Sequence, residues 1–181
     1  IIEYVVEAFR WPKIAAESVF RLLRKPWMGG DIRRQSHSRD LNFNYIKLIE
    51  SGINSFFDEL QKWKVDPNYY PNFVSATDSL VLKAEYFLRE FCYFLNIPTF
   101  KPNPKREGII MEKTLDNLLD DLKDKISDND HFFIKFILTE KAGYNLRNRV
   151  AHGLMDNVDY GLEYPILSTL IILKLSNYQF K

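Results

Sequence analysis

Between Asn145 and Gly153 the chain reads NLRNRVAHG, which sets two asparagines, two arginines and a histidine within nine residues of a largely apolar sequence. These side chains suit phosphodiester chemistry without a metal. An imidazole with an ordinary pKa of about 6.5 takes or gives a proton near neutrality. A guanidinium presents forked donors to phosphate oxygens and stabilises the added charge of a pentacoordinate transition state. An asparagine orients either group. RNA brings its own nucleophile, the 2′-hydroxyl, so His152 and Arg147 with Asn148 suffice for cleavage to a cyclic phosphate and a free 5′-hydroxyl. The competing reading is structural: such a cluster also caps a helix start and pairs with nearby acids, and a short motif alone does not decide between the two.

Local signals place the motif on a short helix. Gly143 is expected to end the preceding helix and Asn145 to cap the next. Leu146 and Val150, four apart, share a face that should be buried; Asn148 and His152 share another. Arg147 precedes His152 by five residues, and its length can bring the guanidinium toward the ring. Ala151 and Gly153 flank the histidine with little bulk, leaving room for a ligand or another chain. Arg149 and Tyr144 border the set, Tyr144 as a ring that either packs or stacks on a base. Glu85 and Arg89 form an i, i+4 pair that serves either as a surface salt bridge or as support for Arg147 and His152.

Other polar clusters read as scaffolding. His37 lies among Arg33, Arg34 and Arg39, a phosphate-binding loop or, on the simpler reading, a solvated basic linker. His131 opens a helix. The three histidines share no short spacing, so no zinc site is expected. Asp116, Asp120, Asp121 and Asp124 recur at helical spacing, a divalent-cation site or, on the simpler reading, a solvated helix face. Phe56, Phe57, Phe87, Phe91 and Phe94 are core residues. Gly29-Gly30 lacks the strand and lysine of a phosphate loop, and neither a GxSxG elbow nor a Cys/His nucleophile pair is found.

The elements that must position these groups are helical. Ile46, Ile49, Ile53, Phe56, Phe57 and Leu60 keep the i, i+3, i+4, i+7 rhythm, as do Ala84, Phe87, Leu88, Phe91 and Leu95, and Leu115, Leu118, Leu119, Leu122 and Ile126. Strand alternation with hairpin turns is not evident, so the fold is expected to be all-α. Helices are expected over about 1–10, 13–24, 41–63, from a cap at Ser75 or Thr77 to Leu95, and over about 114–126, 131–140 and 165–176. Residues 25–40 read as a basic loop because Pro26 and Gly29-Gly30 break a helix, 65–72 as a turn, and 96–108, with three prolines, as a connector. The resulting division is an N-terminal helical extension with its loop over 1–40 and a helical domain over 41–181.

Composition bounds the rest. Of 181 residues 46% are apolar, enough for a sizeable core. The single cysteine, Cys92, excludes a disulfide framework and points to a reducing compartment, hence the cytoplasm. No apolar run is long enough to span a membrane, and the opening residues set no expectation of a signal peptide. The start at Ile1 without methionine sets the expectation of a piece of a longer protein. Net charge is +1, against a module that holds nucleic acid by bulk charge. It is uneven: Lys141 to Met155 holds three bases and no acid, whereas Glu112 to Asp130 holds seven acids and three bases.

The string Arg147-Asn148-Arg149-Val150-Ala151-His152 resembles the Arg-x4–6-His signature of the HEPN superfamily (higher eukaryotes and prokaryotes nucleotide-binding domain). NLRNRVAHG is similar to a branch with an Arg-Asn-x-x-x-His-Gly motif. The segment DSLVLKAEYFLREF (78–91) resembles the family's earlier core helix, its glutamate falling on Glu85 and its Leu-Arg pair on Leu88-Arg89. The likeness covers roughly 42–177 and leaves 1–40 unexplained. It implies an all-helical bundle, commonly a homodimer with two motifs facing one cleft, and a metal-independent ribonuclease without cofactor, of the kind found in bacterial defence, antiviral and toxin systems. The alternative it implies is a non-catalytic module that binds RNA or nucleotide, or only dimerises, within a larger parent. Leu154 stands where one toxin branch places a tyrosine, a departure from that branch.

Overall fold

Asn44 marks the point where sheet gives way to helix. Its Oδ1 accepts from the Ile46 N–H at 2.9 Å, and its Nδ2 donates to the Gly29 carbonyl and to Asp31 Oδ1, both at 3.3 Å. One short polar side chain thus caps a long helix and ties down the segment before it. The computed structural model describes residues 14–24, 26–36 and 39–180. The expected helix over 1–10 and His37 lie outside these residues, as does the side-chain setting of Arg33, Arg34 and Arg39.

Helices α1 (Ala16–Leu23) and α2 (Pro26–Gly29) lead into a hairpin of β1 (Asp31–Ser36) and β2 (Arg39–Asn44). Two long helices follow, α3 (Tyr45–Val65) and α4 (Val74–Phe94), then a second hairpin of β3 (Phe100–Pro102) and β4 (Ile110–Glu112). Helices α5 (Leu115–Leu122), α6 (Asp128–Leu138), α7 (Leu146–Ala151) and α8 (Glu163–Ser176) complete the bundle.

Helix α4 packs against α3 on one side and α8 on another, and α7 rests on it near the middle. The apolar rhythm explains this: Ile49 and Ile53 of α3 share one buried cluster with Leu80, Ala84, Phe87, Leu88 and Phe91 of α4, and Phe56 and Leu60 share a second with Ala76 of α4. α8 is buried on nearly every side, with Ile166, Leu167, Ile171, Ile172 and Leu175 in the core. No helix among the described residues is long and apolar enough to cross a membrane.

Several expectations are corrected. The described residues of 25–40, namely 26–36 and 39–40, are not a loop. Pro26 occupies a first helical position, where its missing N–H costs nothing, and Trp27 and Met28 anchor the turn by burial. The hairpin that follows pairs Ile32 with Phe43 and Asp31 with Asn44. Its strands are mostly polar, so tertiary packing and the ladder, not alternation, define them. The expected helix start at 41 therefore moves to Tyr45. The connector 96–108 hides a strand for the same reason: Phe100 pairs with Glu112 and Pro102 with Ile110. Among the described residues the fold is mostly helical with two two-stranded hairpins, and neither hairpin forms a sheet of three strands. The part of the expected extension that is described packs into the bundle: Val19, Phe20 and Leu23 belong to the same apolar cluster as Ile53, Phe87 and Leu175. Neither Ser75 nor Thr77 caps α4. The helix begins at Val74, whose N–H donates to Asn72 Oδ1 at 3.1 Å, and Thr77 is buried inside it. Phe56, Phe87 and Phe91 are fully buried, and Phe57 and Phe94 pack partly buried against them.

Candidate functional site

Helix α7 is six residues long, too short to persist alone. What holds it is Leu146, fully buried against the main core, with Val150 packed partly buried one turn on. Burial of one leucine contributes roughly 2 kcal/mol. The approach to α7 is equally constrained. A Cβ on Gly143 would sit 2.1 Å from the Phe136 carbonyl oxygen, the same oxygen that accepts from the Tyr144 N–H at 3.0 Å. Gly143 therefore does not end a helix, since α6 stops at Leu138. It lets the chain cross close over α6. Asn145 does not cap α7 with its side chain. It takes a left-handed backbone, φ 48°, and its Oδ1 accepts instead from Asn148 Nδ2 at 2.7 Å.

From this seat α7 turns Arg147 toward α4. Arg147 Nε donates to Glu85 Oε2 at 2.7 Å, and Arg89 Nη2 donates to Glu85 Oε1 at 2.8 Å. Each carboxylate oxygen thus takes one guanidinium. Arg147 Nη1 donates to Asn148 Oδ1 at 3.3 Å, and Arg89 Nη2 also donates to the Lys113 carbonyl at 3.1 Å. The result is one polar line, Lys113 carbonyl–Arg89–Glu85–Arg147–Asn148–Asn145, bridging residues 62 apart in sequence at its centre. Burial pushes the Glu85 carboxyl up, and the two guanidiniums more than reverse this, so its pKa lies below the ordinary 4.5. Glu85 stays charged and fixes the Arg147 head group. Among the described residues Arg147 Nη2 has no hydrogen-bond partner.

His152 is where α7 ends. It is exposed, its N–H donates to the Asn148 carbonyl at 3.1 Å, and among the described residues its ring has no hydrogen bond or ion pair. The glycine after it has a backbone role. Gly153 is left-handed at φ 62°, its N–H donates to the Val150 carbonyl at 3.2 Å, and the Leu154 N–H donates to the Arg149 carbonyl at 2.8 Å. That pair of bonds is the Schellman helix stop. Nothing lies within 4 Å of where a Gly153 Cβ would be, and Ala151 is exposed, so the surface around the histidine is open.

The remaining candidates fall in different places. Arg149 points to α8, donating to the Tyr164 hydroxyl at 3.2 Å and pairing with Asp159 at 3.5 Å. Tyr144 is partly buried, edge-on to Phe136 and to Tyr164. His131 Nε2 donates to the Leu119 carbonyl at 2.9 Å, tying α6 to α5. Asp120 and Asp121 pair with Lys135 and Lys113 on an exposed face. Cys92 is buried, and that burial pushes its thiol up to about 11, which leaves no thiolate at neutral pH. Sequence reasoning missed the contributions of Asn145 and Lys113. Neither carries a signal for a long-range partner, and the Lys113 contribution is a carbonyl that any residue possesses. Comparison with protein-family models, with curated proteins and with solved structures gives no match.

Proposed function

We propose that the chain is a HEPN-type domain that cleaves single-stranded RNA through attack of the 2′-hydroxyl on the adjacent phosphate. The observation that carries this reading is the grip of Glu85 on Arg147, which holds a guanidinium in place while, among the described residues, one of its terminal nitrogens has no partner. A cationic group held by its near edge, with an exposed imidazole five residues further along the chain, supplies the two kinds of group that a phosphorane requires.

In this mechanism His152 takes the proton of the 2′-hydroxyl as the new O–P bond forms. Arg147 stabilises the charge gathering on the non-bridging oxygens. The P–O5′ bond then breaks, and the leaving oxygen takes a proton from a second histidine, supplied by the partner copy of a homodimer, or from water. The products are a 2′,3′-cyclic phosphate and a 5′-hydroxyl. DNA, without a 2′-hydroxyl, is spared. Asn148 positions Arg147. A cytoplasmic defence or toxin role is the setting the motif resembles.

A second reading draws on the His152 ring, which has no orienting partner among the described residues, and on the net charge of +1. It is a non-catalytic module that binds RNA or dimerises within a larger protein. Incubation of the protein with mixed RNA in EDTA separates the two. Cleavage leaving cyclic phosphate ends, and lost by about 100-fold or more in His152→Ala, supports the first. RNA binding with no cleavage supports the second. Cleavage of equal rate in His152→Ala removes the mechanism.

A further inference from the structure

Four rings run from open surface to the polar motif. Phe132 on α6 is 68% exposed and stacks on Phe136 one turn along, centroids 5.7 Å apart and planes inclined by 23°. Phe136 meets Tyr144 edge-on at 6.0 Å, and Tyr144 meets Tyr164 at 5.9 Å. Tyr164 ends the row against Arg149, whose guanidinium lies 5.9 Å from its ring centre and bonds its hydroxyl. Arg149 in turn precedes His152 by one helical turn.

The inner three rings are explained by packing. Phe132 is not. With two thirds of its surface in water it gains little from burial. Its other helical neighbours, Asp128, Asn129 and Lys135, are polar. A protein partner would need a contiguous apolar area of a few hundred Å², which this ring in polar surroundings does not offer. A nucleobase needs one flat apolar face with cations nearby. The ring's outer face is open, Lys135 lies one turn along α6, and Arg149 stands at the inner end of the row; these two cations are also paired, with Asp120 at 3.3 Å and with Asp159 at 3.5 Å. Asp128, one turn before Phe132, sets the far limit of the row.

We propose that Phe132 is a base-stacking platform for single-stranded RNA, the outer end of a track that runs along Phe136 and Tyr144 to Arg149 and the cleavage residues. This rests on the RNA-cleaving reading above and adds to it a binding subsite on α6. Each base stacked on an aromatic ring strengthens binding about 5- to 150-fold, so the track would hold the RNA beside His152 on a protein of nearly neutral charge.

The test uses the His152→Ala protein, which binds without cutting, and a labelled single-stranded RNA followed by fluorescence anisotropy. Adding Phe132→Ala is expected to weaken affinity about 5- to 150-fold, and Phe132→Trp to restore it. RNA with one abasic position is expected to bind Phe132→Ala and its parent equally when the missing base is the one that stacks. Unchanged affinity in Phe132→Ala overturns the proposal, as does unchanged affinity accompanied by altered self-association, which makes the ring a protein contact. The cleavage reading fails separately, by absence of cleavage in wild type, so loss of one is distinguishable from loss of the other.

Discussion

Glu59 and Glu85 are two largely buried glutamates on neighbouring helices, and both carboxyls are held below the ordinary value of 4.5. In each, burial pushes the pKa up and hydrogen bonds overcome it. Their partners differ. Glu59 accepts from Lys62 at 2.6 Å, from the Tyr69 hydroxyl at 2.7 Å and from the Asn72 N–H at 2.7 Å, all within 13 residues. It locks the turn between α3 and α4, and the hydroxyl and amide donors are consumed in doing so. Glu85 reaches 62 residues along the chain to Arg147, and among the described residues the Nη2 of that arginine has no partner. A lowered carboxylate pKa is thus common to a structural lock and to a candidate site, and does not separate them. What separates them is where the partners lie: those of Glu59 belong to the adjoining helix end and turn, whereas Arg147 stands on α7 beside Asn148.

The largest effect expected from this contrast is on RNA cleavage. Arg147→Ala should slow single-turnover cleavage about 100-fold or more, the scale for loss of a charge stabiliser, whereas Glu59→Gln should leave the rate within about twofold. Equal losses in the two variants would show that stability, not the arginine, controls the rate, and the contrast would collapse.

Stability should not distinguish them as sharply. Glu59→Gln and Glu85→Gln each disturb bonded, largely buried groups and should cost about 1–3 kcal/mol in thermal or denaturant unfolding. The pH dependence follows from the direction of the shifts. A carboxyl whose pKa is depressed by folding contributes stability that is complete above its unfolded value and is lost as pH falls through its folded value. Unfolding temperatures from about pH 6 to about pH 3 should therefore fall in wild type, and fall less steeply in either glutamine variant. Only Glu85→Gln should also slow cleavage, to a rate between wild type and Arg147→Ala. A Glu85→Gln protein that cuts RNA at full rate would leave Arg147 positioned by something other than that carboxylate.

How far the sequence discloses this arrangement depends on the range of each interaction. The helices α3, α4 and α5 are legible because Ile49, Ile53 and Phe56, or Leu115, Leu118 and Leu122, repeat with the helical period that burial demands. The hairpins are not, because DIRRQS and RDLNFN carry almost no alternation, and only pairing between them makes either a strand. Arg147, Asn148 and His152 are visible as a string because they lie on one short helix. Glu85 and Arg89 are visible as an i, i+4 pair, yet the bond that gives Glu85 its importance crosses from α4 to α7, and nothing in local spacing announces it. Asn145 is misread for a related reason. As a residue before a helix it is a natural cap, but the close crossing at Gly143 forces the left-handed turn that sends its side chain to Asn148 instead.

The smallest effect expected concerns the glycine beside the histidine, and it decides whether that residue serves the backbone or a ligand. Gly153 stops α7 with φ 62°, a conformation that costs a residue with a Cβ roughly 1–2 kcal/mol. Since no atom lies within 4 Å of the added carbon, Gly153→Ala should show that cost alone. This corresponds to a fall of a few degrees in unfolding temperature for each kcal/mol in a chain of this size. Gly143→Ala, where the new carbon would collide with the Phe136 carbonyl, should cost more. Gly153→Asn should recover part of the loss, because asparagine tolerates the left-handed region. Cleavage should stay within about tenfold of wild type in both Gly153 variants, as for a position that shapes the helix end without touching RNA. An unfolding temperature unchanged in Gly153→Ala, together with lost cleavage, would reverse the assignment: the glycine would then be there to admit the substrate to His152, and the helix stop would be incidental.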